Sequence, residues 1–430
     1  MTAPDRRKGW RPQPRPEWVR RINEEGSYQD LRGIIPLDEN SLIATAKANT
    51  GFDDFGADDW HEPFQVLVKS LDQEANLNFM GRFLARADLL MYLEGRLGIE
   101  HTYRQHPEIA DQPIVAPLLI MGQGRCGTTW MHNLLANDPT NRTPMTWEVL
   151  LPYPPPEKAT FKTDPRIAVG VNRMGLWNRV TPEIESMHDF AGDIPTENIH
   201  VQCLSFQSPI WFNMMGRITS YNLFMHQRGL AQAFAYEKRV LKYLQWKNPG
   251  QRWLQKCPVY VDMMLDALKE FPDARFIWMH RDPIKSLSSA VAVAGTLYWG
   301  RADLAFTDNS PGSAMGDLEV FTSAEFTAQS MNRAIGWLEE GKVPKSQFAS
   351  VYYHELLADP LGTVRKLYDQ FGISVPDSSW SAMNQYLVDN ARDRQKKKPY
   401  VYDLGSPEQI ARERTFYQRY QTYFNVPNEA

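Results

Sequence analysis

Residues 113–136 read PIVAPLLIMGQGRCGTTWMHNLLA. An apolar run leads into a glycine-punctuated turn, and a helical pattern then opens on Thr128 and Thr129. That order is strand, phosphate-cradling loop, helix. Backbone N–H groups at a helix N-terminus carry about half a positive charge, so such a loop is a ready anion site. The spacing Gly122-xxxx-Gly127-Thr128-Thr129 follows the P-loop pattern, except that Thr128 stands where that pattern has lysine. The lysine of an ordinary P-loop reaches the β- and γ-phosphates of a triphosphate, so its absence argues against an ATPase or kinase. Arg125, inside the loop, offers its charge to a different oxyanion.

Working outward, the pattern from about residue 113 alternates short apolar strands with helices, the signature of a parallel sheet. Leu118–Met121, Trp253–Gln255, Phe276–Met279 and Phe348–Tyr352 read as strands. In open α/β sheets ligands bind outside the carboxyl ends of the strands. Arg125, Lys256, Arg281 and Tyr353 fall there, so the four strand ends are expected to converge on one anionic ligand. Two segments interrupt the rhythm: about 150–246, with a proline run and many aromatic residues, and about 295–318, rich in glycine and turn residues. Long irregular segments in a compact domain read as lids or acceptor loops.

Residues 1–110 read as a helical N-terminal extension, a cap on the α/β domain of residues 111–430. Helices are expected over Pro16–Glu25, from Asp38-Glu39-Asn40-Ser41 to near Gly51, and over Phe79–Leu97. The polar, proline-rich start has no apolar core of a secretory signal, and no run approaches the roughly 20 apolar residues of a membrane helix. Trp10 and Trp18, with arginines beside them, leave peripheral membrane contact open. The three cysteines, Cys126, Cys203 and Cys257, form neither a zinc pattern nor a disulfide framework. A reducing, cytoplasmic setting is the expectation. A formal charge of −4 over 430 residues gives no whole-protein attraction to nucleic acid. The 43% hydrophobic and 12% aromatic content supports a substantial core and excludes global disorder.

Four segments together resemble the sulfotransferases that use 3′-phosphoadenosine 5′-phosphosulfate (PAPS), in particular a bacterial branch with arginine in the first motif. They are Gly122-x-x-Arg125-Cys126-Gly127-Thr128-Thr129, His280-Arg281-Asp282-Pro283 with Ser289 downstream, Tyr353-x-x-Leu356-x-x-Asp359-Pro360, and Tyr402-x-Leu404-Gly405. The resemblance spans roughly residues 113–425. It implies that Arg125, Cys126, Gly127, Thr128 and Thr129 bind the 5′-phosphosulfate. It also implies that Arg281 and Ser289 grip the 3′-phosphate and that Trp130 and Tyr353 contact adenine. Cys126 replaces a serine usual there, and a thiol in an electropositive loop is expected to be reactive.

Lys256 matches a lysine that contacts the transferring sulfuryl group in cytosolic members. Those members carry a histidine base two residues later, where this chain has Pro258, so the base must come from elsewhere. Glu148 is the leading candidate, close to where tyrosylprotein sulfotransferases place a glutamate; His188, Asp193 and Glu197 are the alternatives. His280, inside its strand, reads as packing or support of the phosphate site.

The sequence thus predicts an α/β, P-loop-like parallel sheet flanked by helices. The expected reaction is sulfuryl transfer from PAPS to a hydroxyl of a small hydrophobic acceptor, with Arg125, Lys256 and Glu148 as catalytic groups. No metal is implied. A P-loop kinase and a non-catalytic nucleotide-binding module are the competing readings. The aromatic residues of segment 176–225 suggest an apolar acceptor cavity for a lipid, sterol or phenol, although they suit a plain core equally.

Overall fold

The computed structural model describes residues 12–303, 323–394 and 403–430. Five parallel strands form its sheet, in the order β2-β3-β1-β4-β5. They are β1 (Leu118–Gly122), β2 (Asn141–Arg142), β3 (Arg252–Lys256), β4 (Arg275–His280) and β5 (Phe348–Tyr352). Four of them are the strands expected from apolar runs; β2, only two residues long, is too short to leave a periodic signal. β1 lies at the centre, with Leu118 in register with Leu254 of β3 on one side and Arg275 of β4 on the other.

The chain builds β2 and β3 on one side of β1 and then crosses over to build β4 and β5 on the other. The change of direction opens a crevice outside the carboxyl end of β1, where such sheets bind ligands. All five residues of β1 are buried, as a strand covered on both faces requires. Successive side chains alternate between faces. Leu119, Met121, Trp253, Phe276 and Trp278 join one apolar cluster, whereas Leu118, Ile120, Leu254, Ile277 and Met279 join the other. Burying each such side chain stabilises the fold by about 1.5–3 kcal/mol relative to leaving it in water.

The first cluster extends into the N-terminal helices, through Leu42, Phe64, Leu89 and Leu93. Helix Glu17–Gly26 matches its expectation closely. Helix Glu39–Thr50 starts where Asp38 accepts a hydrogen bond from the Ser41 amide and stops at Gly51, with φ of 71°. The long helix Phe79–Gln105 runs past the expected end at Leu97. Gly98 does not break it but admits a neighbour, since an added Cβ would sit 2.3 Å from Tyr153 Cβ.

Segment 150–246 contains the helices Arg166–Val180, Thr219–Arg228 and Ala231–Trp246. Its Trp177, Phe206, Trp211, Phe212 and Tyr221 enter the same cluster as the N-terminal helices. Gly295–Trp299, expected to be irregular, instead ends helix Pro283–Trp299, where Leu287, Val291 and Leu297 are buried. A run this apolar keeps its helix through one glycine, whose cost is about 1 kcal/mol. The remainder of that segment from residue 304, like Trp10, Lys396–Lys398 and Tyr402, lies outside the described residues. Trp18 is 42% exposed on its helix. Among the described residues, no helix is long and apolar enough to cross a membrane.

Candidate active site

The loop after β1 is shaped by three left-handed backbone positions: Gly122 (φ 144°), Arg125 (φ 74°) and Gly127 (φ 96°). Gly127 is required twice over, because a Cβ there would also meet the Tyr353 ring at 2.6 Å. A Cβ at Gly124 would meet nothing within 4 Å, so the loop backbone stands open to the cavity in front of it. Helix Thr128–Ala136 begins immediately after, and its first amides have no partners within the helix. Loop and helix start together form a cradle of backbone amides suited to an anion.

Arg125 reaches the helix Pro283–Trp299 that follows β4, where its Nε donates to Ser289 Oγ at 2.8 Å. Arg281 follows β4 and donates from Nη1 to the Arg125 carbonyl at 3.3 Å. Its guanidinium lies 4.3 Å from the centre of the Tyr353 ring, and its Nε donates to Glu429 at 3.1 Å. The structure therefore brings Arg125, Arg281, Ser289 and Tyr353 into one group. Glu429 is a member the sequence did not disclose, 148 positions away from its partner. Asp282 caps helix Pro283–Trp299 through the Ile284 amide and also pairs with Arg414 at 3.0 Å, which fixes the backbone that carries Arg281.

Lys256, at the end of β3, is 2% exposed. Its ammonium donates to Thr129 Oγ1 at 3.3 Å and to the Glu197 carboxylate. His188 Nε2 lies 3.4 Å from the same carboxylate oxygen. Burial pushes the Glu197 carboxyl up, but the Lys256 ammonium and His188 outweigh it and hold the group well below the usual carboxylate range. Nearby His200 is pushed down to about 4 by burial, so it is neutral at pH 7.

Glu148 stands elsewhere. It is completely buried and takes two hydrogen bonds from the Arg142 guanidinium, one of 2.8 Å, and one of 2.8 Å from the Met145 amide. These bonds cap helix Thr146–Leu150. Glu148 is not among the residues lining the cavity. Its helix nonetheless serves the site indirectly. The amides of Thr146 and Trp147 donate to the carbonyls of Ile194 and Gly192, and the Thr196 amide donates to the Pro144 carbonyl. Those bonds seat the segment that ends at Glu197. Asp193 is exposed and outside the cavity lining.

Cys126 also departs from expectation. It is 1% exposed and packs in the apolar cluster with Met131 and Met279. Burial pushes its thiol up to about 12, which leaves it inert, so only its backbone belongs to the loop. His280 is buried between Tyr420 and Ser350, at 2.9 and 3.0 Å, and packs as expected.

A cavity of about 360 Å³ adjoins these groups. Its lining includes the polar and loop residues Gly124, Arg125, Thr129, Arg281 and Tyr353 and the apolar residues Trp130, Phe190, Trp211, Met214, Val293, Leu297 and Met331. Glu197 and His188 also face it. The half-buried Trp130 both lines the cavity and packs against the apolar cluster of Met131 and Met279.

The sequence profile of the sulfotransferase family matches residues 117–377, which include the phosphate loop and the strand ends described above. Two curated relatives, the omega-hydroxy-beta-dihydromenaquinone-9 sulfotransferases Stf3 of Mycobacterium bovis and Mycobacterium tuberculosis, are each 25% identical over 294 residues. The alignment covers 66% of this chain and 68% of theirs. The crystal structure of sulfotransferase STF9 from Mycobacterium avium superposes with a TM-score of 0.75 at 23% identity, covering 91% of this chain and 97% of that one. STF1 from M. tuberculosis gives a TM-score of 0.72, also at 23% identity, covering 89% and 98%. Together with the loop that lacks the nucleotide-kinase lysine, the profile match leads to one conclusion: the chain belongs to the sulfotransferase family and is a sulfotransferase.

Proposed function

We propose that this sulfotransferase moves a sulfuryl group from PAPS to the hydroxyl of a hydrophobic lipid acceptor, with Glu197 rather than Glu148 as the general base. The observation that carries this reading is the Lys256–Glu197 contact, made at a cavity lined by the glycine loop with Arg125 and Arg281 and by many apolar side chains. The donor supplies an electrophilic sulfur and a phosphate leaving group. As the acceptor oxygen bonds sulfur, the sulfur–oxygen bond to phosphate breaks with its electron pair going to the phosphate, and the hydroxyl proton passes to Glu197.

The amides of residues 127–129 and the Arg125 guanidinium hold the 5′-phosphosulfate, and Arg281 with Ser289 holds the 3′-phosphate. Planar guanidinium forks suit such oxyanions. Tyr353 and Trp130 flank the adenine. Lys256 leaves Glu197 for the sulfuryl oxygens, so the arriving anion both recruits the charge that stabilises transfer and frees the base to accept a proton. Transfer through a loose, in-line transition state asks the protein mainly to position groups and neutralise charge.

The apolar lining suits an alkyl or isoprenoid chain, and the curated relatives are named for a hydroxylated menaquinone. These two observations favour a hydroxylated lipid over a sugar. Donor binding is tested by thermal denaturation without divalent metal. Adenosine 3′,5′-bisphosphate at a hundred times its Kd adds about 2.7 kcal/mol and raises Tm, whereas adenosine 5′-monophosphate does much less. Equal shifts from the two would remove the 3′-phosphate role of Arg281 and Ser289.

A further inference from the structure

Behind the Lys256–Glu197 pair sits a second buried carboxylate that the reaction does not touch. Glu237, on helix Ala231–Trp246, is 1% exposed. Its Oε1 accepts from Asn198 Nδ2 at 2.7 Å, Gln255 Nε2 at 3.0 Å and Tyr260 Oη at 3.2 Å, and its Oε2 accepts from Gln202 Nε2 at 3.0 Å. The positions of these donors in the chain are informative. Asn198 directly follows Glu197, and Gln202 ends the same short helix. Gln255 directly precedes Lys256, and Tyr260 lies in the turn Pro258–Met263 just after it.

We infer that Glu237 is a positioning residue that ties the Glu197 segment to the Lys256 strand and so sets the two reacting groups against each other. The inference rests on the reading that Lys256 and Glu197 carry the transfer. Four side chains aim donors at one point, and only a group with acceptors and no donors satisfies them all, which a carboxylate does. All four donors are neutral, so no opposite charge offsets the burial; burial pushes the Glu237 carboxyl up to about 7, against the pull of its hydrogen bonds. A carboxylate kept where an apolar side chain would cost less is expected at a functional site. Neighbouring side chains in the same strand point to opposite faces. Gln255 therefore anchors on the helix side while Lys256 projects toward the phosphate loop.

The test uses the full chain and two variants, Glu237→Leu, which removes every acceptor, and Gln255→Met, which removes only the tie beside Lys256. Gln255→Met preserves the fold if Glu237→Leu does not. With PAPS and an acceptor that the wild type sulfates, kcat is expected to fall ten- to a hundredfold. KM for PAPS and Kd for adenosine 3′,5′-bisphosphate stay within twofold, because the phosphate loop is not held by Glu237. An unchanged kcat, or a kcat loss matched by equal loss of bisphosphate binding, overturns the proposal. Crystal structures of the variants decide the point independently of any acceptor. Separation of Lys256 Nζ from Glu197 supports it, and an unaltered contact overturns it even if the wild type transfers nothing, an outcome that by itself sinks only the reading of the reaction.

Discussion

Lys256 and Glu197 form an ion pair across 59 positions of chain, with side chains 2% and 16% exposed. In the proposed reaction this pair stands in for the histidine that the resemblance places where the chain has Pro258. A carboxylate beside a buried ammonium is a poor base; under the proposal the ammonium turns to the arriving sulfuryl group, so base strength rises only when the donor is in place.

Glu197→Gln keeps the size of the side chain but cannot take a proton. Turnover should fall roughly 10²–10⁴-fold, with affinity for adenosine 3′,5′-bisphosphate little changed. Glu148→Gln should behave oppositely. It weakens a buried pair with Arg142 and lowers stability, by up to the roughly 3–5 kcal/mol that follows removal of one partner, while kcat per folded molecule survives. Steady-state kinetics beside urea denaturation separate the two. Normal turnover in Glu197→Gln would return the base to another residue.

Arg281→Ala should weaken bisphosphate binding strongly and leave 5′-monophosphate binding nearly as it was, with some turnover recovered at high PAPS. Arg125→Ala should damage both binding and kcat, since that residue serves the group that moves; loss of one such donor typically costs about 3–4 kcal/mol. Isothermal titration with both nucleotides makes the comparison. Equal losses for the two nucleotides in Arg281→Ala would contradict its 3′-phosphate role.

Stability should fall with acid. Burial holds His132 down to about 3, His200 to about 4 and His280 to about 3, against 6.5 in the unfolded chain. Below pH 6.5 the unfolded state takes up protons that the folded state refuses, so stability drops from 6.5 toward 4. Glu237 acts in the opposite sense. Its raised carboxyl, about 7 against 4.5, stabilises below 4.5 and loses that contribution as pH rises toward 7. One proton against three leaves a net fall toward acid. A urea midpoint at pH 5 equal to that at pH 7 would contradict this balance.

The sheet was legible because β1 and β4 are buried on both faces and read as apolar runs, while β3 and the edge strand β5, whose burial alternates, still carry short apolar cores; the four end in Gly122, Lys256, His280 and Tyr352. The strand-end residues Arg125, Arg281 and Tyr353 followed from the same logic. Glu197 did not, because its partner is on a strand 59 positions later and only the folded chain shows the meeting. Glu148 lies near the loop in sequence, yet it is the third residue of a helix, where a carboxylate bonds back to the cap amide. Cys126 looked reactive from its charged neighbours, but the turn that presents the Arg125 backbone drives the next side chain into the core.

The most direct measurement is product analysis by mass spectrometry after incubation of the wild type with PAPS and three acceptors: an ω-hydroxylated isoprenoid quinone, a simple phenol and a sugar. The account predicts a sulfated quinone formed without added metal, its yield lost in Glu197→Gln and retained in Glu148→Gln. A sulfated sugar with no sulfated lipid, or quinone sulfation undiminished in Glu197→Gln, would contradict it.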